Sequence, residues 1–251
     1  YNCSFTIINS FKDFCEMFYL LMIGSGVGFR TLPSDIEKVP RYRTGVKLVL
    51  KEYRPVKKEL RKEFSEIINE EKDVVTILVG DSKEGWIGAL DFYFKILTSE
   101  HYSNIKEIRV NFDNVRPKGE PLKRFGGYAS GHESLKIMFE KIDKVMNRAG
   151  GKLKPIDALD IGNIIAENVV SGGVRRSSEV NLASVDDMNI EKAKSNLFVQ
   201  DENGKWIMNE EISHRTLSNN SIFYERKPTR KQLHENFLNL RQTGERGFIN
   251  A

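Results

Sequence analysis

The chain has 251 residues, of which 39% are hydrophobic and 29% charged, a balance typical of a folded globular protein. Its net charge is only +4 and both signs are mixed along the chain, so a protein that coats nucleic acid is not indicated, although small anions such as nucleotide phosphates remain suitable ligands. Two cysteines are too few for a disulfide scaffold and favour a cytoplasmic protein, and the longest apolar run, at 17–23, is too short to span a bilayer, so we expect no membrane partner.

The first third of the chain alternates between strand and helix patterns. Residues 1–8 alternate as a strand does, and a helix with apolar residues at helical spacing follows until the glycines of 24–29 end it. A short strand at 46–50 precedes a charged amphipathic helix at 55–71. This alternation predicts an α/β protein with largely parallel strands.

The same alternation continues to the end of the chain. The apolar, β-branched run at 74–79 predicts a strand buried on both faces, and Asp81 is expected to cap the next helix with Glu84 in a capping box. The elements predicted after it are strand 107–112, helices near 132–148 and 155–170, strand 179–183, a turn at DENGKW, strand 217–225, and a last helix from Thr229 to Gly244.

Two basic, glycine-rich loops stand next to predicted strands. The first follows strand 107–112 and carries Arg116, Lys118, Lys123 and Arg124; the second, SGGVRRSS at 171–178, precedes strand 179–183. Backbone N–H groups beside cationic side chains at a strand end are what phosphate binding requires. Either loop alone is as well explained by a solvated surface, but the two together favour nucleotide binding.

The remaining residues point to no chemistry of their own. Cys3 lies within a predicted strand, where a lone cysteine is more often a small buried side chain than a reactive one. The four histidines lack the spacing of metal ligands, and GSGVG at 24–28 has neither the spacing nor the preceding strand of a dinucleotide fingerprint. The residues alone therefore indicate an α/β nucleotide-binding protein and leave its activity open.

Seven stretches, considered as an ordered set, resemble ribonucleotide reductases, and most of all the adenosylcobalamin-dependent kind. They are YNCSF at 1–5, FYLLMIGSGVGF at 18–29, VGDSKEGW at 79–86, VRPKGEPLKRFGGYASG at 115–131, VVSGGVRRSSEVNL at 169–182, LSNNSIFY at 217–224 and GERGFIN at 244–250. The resemblance implies an α/β barrel of ten strands in two five-stranded halves. This chain would be the first half, a single partial catalytic domain over 1–251.

The resemblance also implies a reaction. A thiyl radical at the barrel centre abstracts the ribose 3′ hydrogen, and a cysteine pair supplies electrons as the 2′ hydroxyl leaves as water. By resemblance Cys3 belongs to that pair, which reverses the reading of it as a buried side chain. The implied cofactors are adenosylcobalamin and redox-active thiols. The implied partners are a ribonucleotide substrate, a deoxynucleotide effector, the second half of the reductase and a thioredoxin-like reductant, with no nucleic acid.

Within this family, the loop matching 116–131 lies near the specificity effector, and the loop matching 171–178 carries its signal to the substrate base. Arg116, Lys118, Arg175 and Arg176 would then contact anions or bases, and glycines would let the backbone bend: Gly126, Gly127, Gly172 and Gly173. Further candidates for substrate or effector binding are Asn2, Ser4, Ser130, Ser177, Asn219 and Asn220.

The sequence also departs from the family. It contains no Cys-x-Glu arrangement for the radical cysteine, and the second redox cysteine and the C-terminal cysteines are missing. We therefore expect the chain to be inactive alone, as a split-gene product, a half interrupted by an intein or intron, or a truncated fragment. Two alternatives remain: a reductase-derived nucleotide-binding module without catalysis, and half of a di-iron reductase.

Overall fold

A computed structural model of the chain describes residues 2–122, 127–171 and 178–250. The strands in the described residues are β1 Cys3–Ile7, β2 Gly26–Arg30, β3 Lys47–Leu50, β4 Glu66–Glu71, β5 Val74–Leu78, β6 Glu107–Asn111, β7 Glu179–Ser184, β8 Phe198–Gln200, β9 Trp206–Met208, β10 Ser218–Tyr224 and β11 Gly247–Asn250. The helices are α1 Phe11–Met22, α2 Pro33–Ile36, α3 Lys83–Thr98, α4 Glu133–Ala149, α5 Pro155–Ser171, α6 Met188–Glu191 and α7 Arg230–Thr243. Short 3₁₀ turns cover Lys58–Leu60, Glu100–Tyr102 and Ser213–Leu217.

Five strands form a wholly parallel sheet in the order β1-β2-β7-β10-β11, which we call the open sheet. Successive side chains of a strand point to opposite faces, and here the two faces differ in burial. Val27 and Phe29 on β2 are fully covered on the helix side, whereas Cys3 and Phe5 on the other face are exposed. The α/β class and the five parallel strands of the expected half-barrel are thus present, with one face left open.

A second sheet, the mixed sheet, has the order β3-β6-β5-β4, in which β4 pairs antiparallel with β5 and the other neighbours are parallel. Residues Val74–Ile77 of β5 are all buried, as the apolar run predicts. Helix α3 contacts β5, and α4 contacts β3. The sequence pattern predicts β3, β5 and β6 as strands but not β4, and it does not separate the strands of this sheet from those of the open sheet.

Helix α5 packs against β7 of the open sheet and contacts α4 and α1. Its middle is fully buried, including the charged Asp160. That carboxylate accepts hydrogen bonds from Arg215 (2.6 and 2.9 Å), His214 (3.0 Å) and Arg148 (2.8 Å). The buried charge is therefore paired on several sides, and it ties α5 to α4 and to the 3₁₀ turn before β10.

Two local predictions are wrong. Residues 55–71 form no α-helix; apart from the 3₁₀ turn at Lys58–Leu60 they run irregularly and end in β4, because pairing with β5 outweighs the helical pattern. Asp81 does not cap α3; the Oγ of Ser82 accepts from Gly85 N at 2.8 Å instead, while Asp81 pairs with Arg116. The predicted turn after α1 is confirmed, with Gly24 at φ 84°. The glycine stretch 24–29 is not all turn, however, because β2 starts at Gly26.

Candidate functional site

Cys3 lies on the open face beside a strand that carries glycine on that face. Its register partner is Gly26, where an added Cβ would be 3.9 Å from the Cys3 Sγ. Two residues on, a Cβ at Gly28 would come within 2.7 Å of the Phe5 ring. Glycines on β2 therefore leave room for the Phe5 ring and keep the neighbourhood of the thiol uncrowded.

Asn219 is also exposed on the open face, three strands from β1 and level with Phe5, which is roughly 14 Å away at the usual strand spacing. Further along the strands on the same face, the guanidinium of Arg30 lies 5.3 Å from the centre of the Phe223 ring. Arg30 also donates to both oxygens of Asp35, at 2.7 and 3.1 Å. The open face thus combines a thiol, an amide and a fixed cation.

The other predicted residues on these strands lie differently. Ser4 faces the helix side, where its hydroxyl is 2.9 Å from that of Ser25, and Asn220 is buried there with its Oδ1 accepting from Ser218. Asn2 is exposed, and its carbonyl accepts from Gly26 N at 2.8 Å. The open face therefore brings Cys3 and Asn219 to one surface but not Ser4 or Asn220.

A buried acid at the start of β7 has no counterpart in the sequence reasoning. Glu179 is 3% exposed, and neither carboxyl oxygen has a hydrogen-bond partner among the described residues. Burial raises the pKa of the Glu179 carboxyl well above its usual range. The only sequence signal for it is a glutamate at the first position of a predicted strand.

The loop 116–131 is a closed hairpin-like structure in its described part. Gly119 N donates to Ala129 O (2.9 Å), Ala129 N to Glu120 O (2.8 Å) and Leu122 N to Gly127 O (3.0 Å). Gly127 is exposed with φ 81°, and Lys118 is exposed too. Several backbone N–H and C=O groups of this loop are therefore hydrogen-bonded to one another and not to solvent.

This loop forms one wall of a cavity of about 560 Å³. The other walls are the segment around Lys58–Glu63, the N-terminus of α3 and the last turns of α5. Of the predicted residues, Arg116 and Ser130 line it. The lining also includes four acids and three further cations that the sequence reasoning did not assign: Glu63, Asp81, Glu84, Glu120, Lys58, Arg61 and Lys83.

Ion pairs hold two of the cavity's arginines in place. The Nε and the backbone N–H of Arg116 both donate to Asp81 Oδ1, at 2.9 and 3.0 Å. Arg61 Nη1 donates to both oxygens of Glu120, at 3.0 and 2.8 Å, and lies 3.7 Å from Asp81 Oδ2. The loop is thus bound to the segments before β4 and before α3 through a row of alternating charges.

A close chain crossing forms the floor of the cavity. A Cβ at Gly80 would lie 2.3 Å from Glu63 O, and one at Gly85 would lie 2.6 Å from the same atom. Ser82 Oγ donates to that oxygen at 2.7 Å, and Gly80 N donates to Ser65 Oγ at 2.9 Å. The glycines of VGDSKEG therefore let the chain before β4 pass directly over the start of α3.

Helix α5 connects the cavity with the open sheet. Asn168, whose amide atoms have no partner among the described residues, and Val169 line the cavity, and α5 ends two residues later at Ser171. The next described residue is Ser178, whose carbonyl accepts a hydrogen bond from Val27 N at 2.9 Å. Val27 follows Gly26, the register partner of Cys3. Six predicted residues lie outside the described residues: Gly126, Gly172, Gly173, Arg175, Arg176 and Ser177.

Within 2–122, 127–171 and 178–250, no group of three His, Cys, Asp or Glu residues could hold a metal ion. No helix in those ranges is long and apolar enough to cross a membrane.

Comparisons with known proteins agree with this geometry. A family model described as the insertion domain of B12-dependent ribonucleotide reductase matches residues 56–146. The crystal structure of a B12-dependent (class II) ribonucleotide reductase superposes with a TM-score of 0.76 and 26% identity, covering 96% of this chain and 32% of that one. By sequence and by fold, this chain matches a part of the class II ribonucleotide reductases.

Curated class II reductases give the same answer. The adenosylcobalamin-dependent ribonucleoside-triphosphate reductase of Lactobacillus leichmannii is 31% identical over 94% of this chain and 31% of its own length. Its counterparts in Lactobacillus gasseri and Lacticaseibacillus paracasei are 32% and 34% identical, over 28% and 27% of their lengths. The chain thus spans less than a third of these relatives. The resemblance to the adenosylcobalamin-dependent kind, rather than the di-iron kind, is confirmed.

Proposed function

We propose that this chain is one partial catalytic domain of an adenosylcobalamin-dependent reductase that converts ribonucleoside triphosphates to deoxyribonucleotides in the cytosol, and that it works only with the remainder of that enzyme. The observation that carries the proposal is the exposed Cys3 on the open face, in a chain that aligns with a class II reductase over 96% of its length. A module that only senses nucleotides has no use for a thiol held on that face.

The chemistry assigns Cys3 one half of a two-electron reduction. Two thiols become a disulfide, the C2′–OH bond of the ribose is replaced by C2′–H, and the hydroxyl leaves as water. Cys15 is unsuited as the second thiol, because it is buried in α1 and burial raises its pKa far above the usual range. The second thiol therefore comes from outside this chain, and a thioredoxin-like dithiol would reduce the disulfide again.

The described residues do not by themselves fit adenosylcobalamin. The two cavities described, of about 560 and 320 Å³, are on the scale of a nucleotide or smaller, and a corrin ring with its nucleotide tail is much larger. Adenosylcobalamin would therefore be held mainly by the rest of the reductase.

The larger cavity suits a deoxynucleoside triphosphate as effector. Its volume lies within the usual range for ligand sites, and the N-terminus of α3 with Lys58 and Lys83 attracts phosphate. Asp81 and Glu120 can accept from a sugar hydroxyl. Because α5 runs from this cavity to the residue before 172–177, we propose that Arg175 and Arg176 pass the effector's identity to the substrate base.

The thiol is tested by joining this chain to the remaining portion of a class II reductase and measuring deoxycytidine triphosphate formed from CTP with adenosylcobalamin and a dithiol. Replacing Cys3→Ser should abolish turnover, whereas Cys15→Ser should leave it within about twofold. Turnover that survives Cys3→Ser would overturn the role of this thiol.

The proposed coupling is tested in the same assay. An unchanged effector-dependent choice of substrate after replacing both Arg175 and Arg176 would overturn the coupling.

A further inference from the structure

Tyr53 contacts both ends of the loop 116–131 at once. Its ring stacks on His132, with ring centroids 3.8 Å apart and an interplanar angle of 19°. Its hydroxyl donates to the carbonyl of Val115 at 2.7 Å. Val115 is the residue before the loop and His132 the residue after it, so one side chain spans the base of the loop.

The position of Tyr53 is fixed independently of its own side chain. Lys51 N donates to Val110 O (2.9 Å), Arg54 N to Asp113 Oδ1 (2.7 Å) and Val56 N to Asp113 O (2.8 Å). The segment 51–56 is thus bound along the stretch that leads from β6 into the loop. These hydrogen bonds position the Tyr53 ring against His132 without any contribution from the loop 116–131.

His132 is packed from its other neighbours as well. Its ring centroid is 6.0 Å from that of Phe112, which is fully buried. Burial lowers the pKa of His132, while Glu133 and Asp113 oppose the shift and Lys136 adds to it, so burial favours the neutral ring. The contact with Tyr53 is therefore an aromatic stack at the N-terminus of α4.

The ends that Tyr53 joins are also walls of the cavity. Val115 and Arg116 line it on one side of the loop, and Ser130 and Gly131 line it on the other. Gly131 has φ 84°, and a Cβ there would come within 3.2 Å of the backbone N of Lys118. A small change in the distance between the two ends of the loop would therefore displace both of these cavity walls at the same time.

We propose that Tyr53 is a positioning residue that holds the two ends of the loop 116–131 together and so sets the affinity of the cavity for its ligand. For the identity of that ligand, a deoxynucleoside triphosphate, this rests on the function proposed above. Tyr53 lies outside the cavity lining, so it acts through the loop rather than on the ligand.

The first test is amide hydrogen exchange of the 251-residue chain without ligand. Tyr53→Phe removes only the hydroxyl, and Tyr53→Leu removes the stack as well. Exchange in the loop should speed up about three- to tenfold in Tyr53→Phe and more in Tyr53→Leu. The matched control is Tyr42→Phe, which removes a buried tyrosine hydroxyl that donates to Met146 O, also at 2.7 Å, away from the loop.

The second test measures affinity through Trp86, which lines the cavity. Trp206→Phe leaves Trp86 as the only tryptophan of the chain, so its fluorescence reports titration with dATP, dGTP, dCTP or dTTP. The dissociation constant of the tightest of these should rise about three- to tenfold in Tyr53→Phe and stay unchanged in Tyr42→Phe.

The outcomes separate the two proposals. Loop exchange and affinity in Tyr53→Phe equal to those in Tyr42→Phe would overturn the role of Tyr53. If none of the four nucleotides changes the fluorescence or binds by calorimetry in the wild-type chain, the nucleotide site fails. Hydrogen exchange then still decides whether Tyr53 holds the loop.

Discussion

The open sheet and the mixed sheet use their faces in opposite ways. The open sheet covers one face with helices and leaves Cys3, Phe5 and Asn219 exposed on the other. In the mixed sheet the inner strand β5 is buried, and the cavity with its paired charges is built outside it, from loops and helix ends. The thiol to which we assign the reduction thus lies exposed on a sheet face, whereas the ligand site that we assign to regulation is held by loops that ion pairs and close backbone crossings fix in place.

A substitution at Gly80 should have the largest effect on the loop-built cavity, because the chain crossing beside the cavity leaves no room for a side chain there. Gly80→Ala would place a methyl group 2.3 Å from Glu63 O, and backbone must move to admit it. We expect a loss of more than about 3 kcal/mol in the free energy of unfolding. Chemical denaturation followed by Trp86 fluorescence in the Trp206→Phe background would measure it.

Gly88 is the matched control for that experiment. It lies within α3, and an added Cβ would meet only Ser65 Cβ, at 3.9 Å. Gly88→Ala should stabilise the chain by about 0.5–1 kcal/mol, because alanine is the better helix former. Equal effects of the two substitutions would refute the crossing as the reason for glycine at position 80.

Asp160 tests helix α5, which contacts β7 of the open sheet on one side and α4, the helix that contacts β3, on another. Asp160→Asn would leave Arg215 and His214 without their buried carboxylate, at a cost of about 3 kcal/mol. Burial alone would raise the pKa of Asp160, but hydrogen bonds from Arg215 and His214 outweigh it and hold that pKa well below its usual range. The stabilisation is therefore complete above the unfolded pKa of about 3.9 and is lost as the pH falls toward the folded pKa.

Urea titrations at several pH values would check this sign. The gap in unfolding free energy between wild type and Asp160→Asn should be constant above about pH 5 and narrow below about pH 4. A gap that widens on acidification would contradict the assignment.

The smallest expected effects come from the N-caps of α3 and α7, whose contributions to stability can be compared directly. Ser82 caps α3 and also donates to Glu63 O across the chain crossing, whereas Thr229 caps α7 only through Gln232, within an exposed capping box. We expect Ser82→Ala to cost about 2 kcal/mol and Thr229→Ala about 1 kcal/mol or less. Thermal melts of both variants would show whether the crossing adds to the cap, and equal losses would show that it does not.

The sequence predicts individual elements well where local signals agree. The β-branched run became β5, Thr229 does cap the last helix, and DENGKW is the turn between β8 and β9. Local signals fail at 55–71, where a helical charge pattern gives way to strand pairing with a partner further along the chain. They also cannot divide strands between two sheets, because that depends on long-range pairing.

The site was predictable in part. Residue type alone gives Cys3 as buried, and only the family resemblance gives it a role that its exposed place allows. Arg116 and Ser130 do line the cavity, but Arg61, Asp81 and Glu120 come from three separate segments that meet only in the fold. The link between Tyr53 and His132 joins residues 79 positions apart in the sequence and has no local signal.

The pairing of β3 with β6 has a consequence for modularity. The insertion-domain match begins at residue 56, yet β3 at Lys47–Leu50 pairs in parallel with β6, inside the matched range. Ahead of β3, Arg43 donates to Ile96 O and Tyr42 to Met146 O. Excision at residue 56 would expose an edge of β6 and break these bonds. A segment that keeps these contacts therefore starts near residue 42, so its boundary in three dimensions does not coincide with the start of the insertion-domain match.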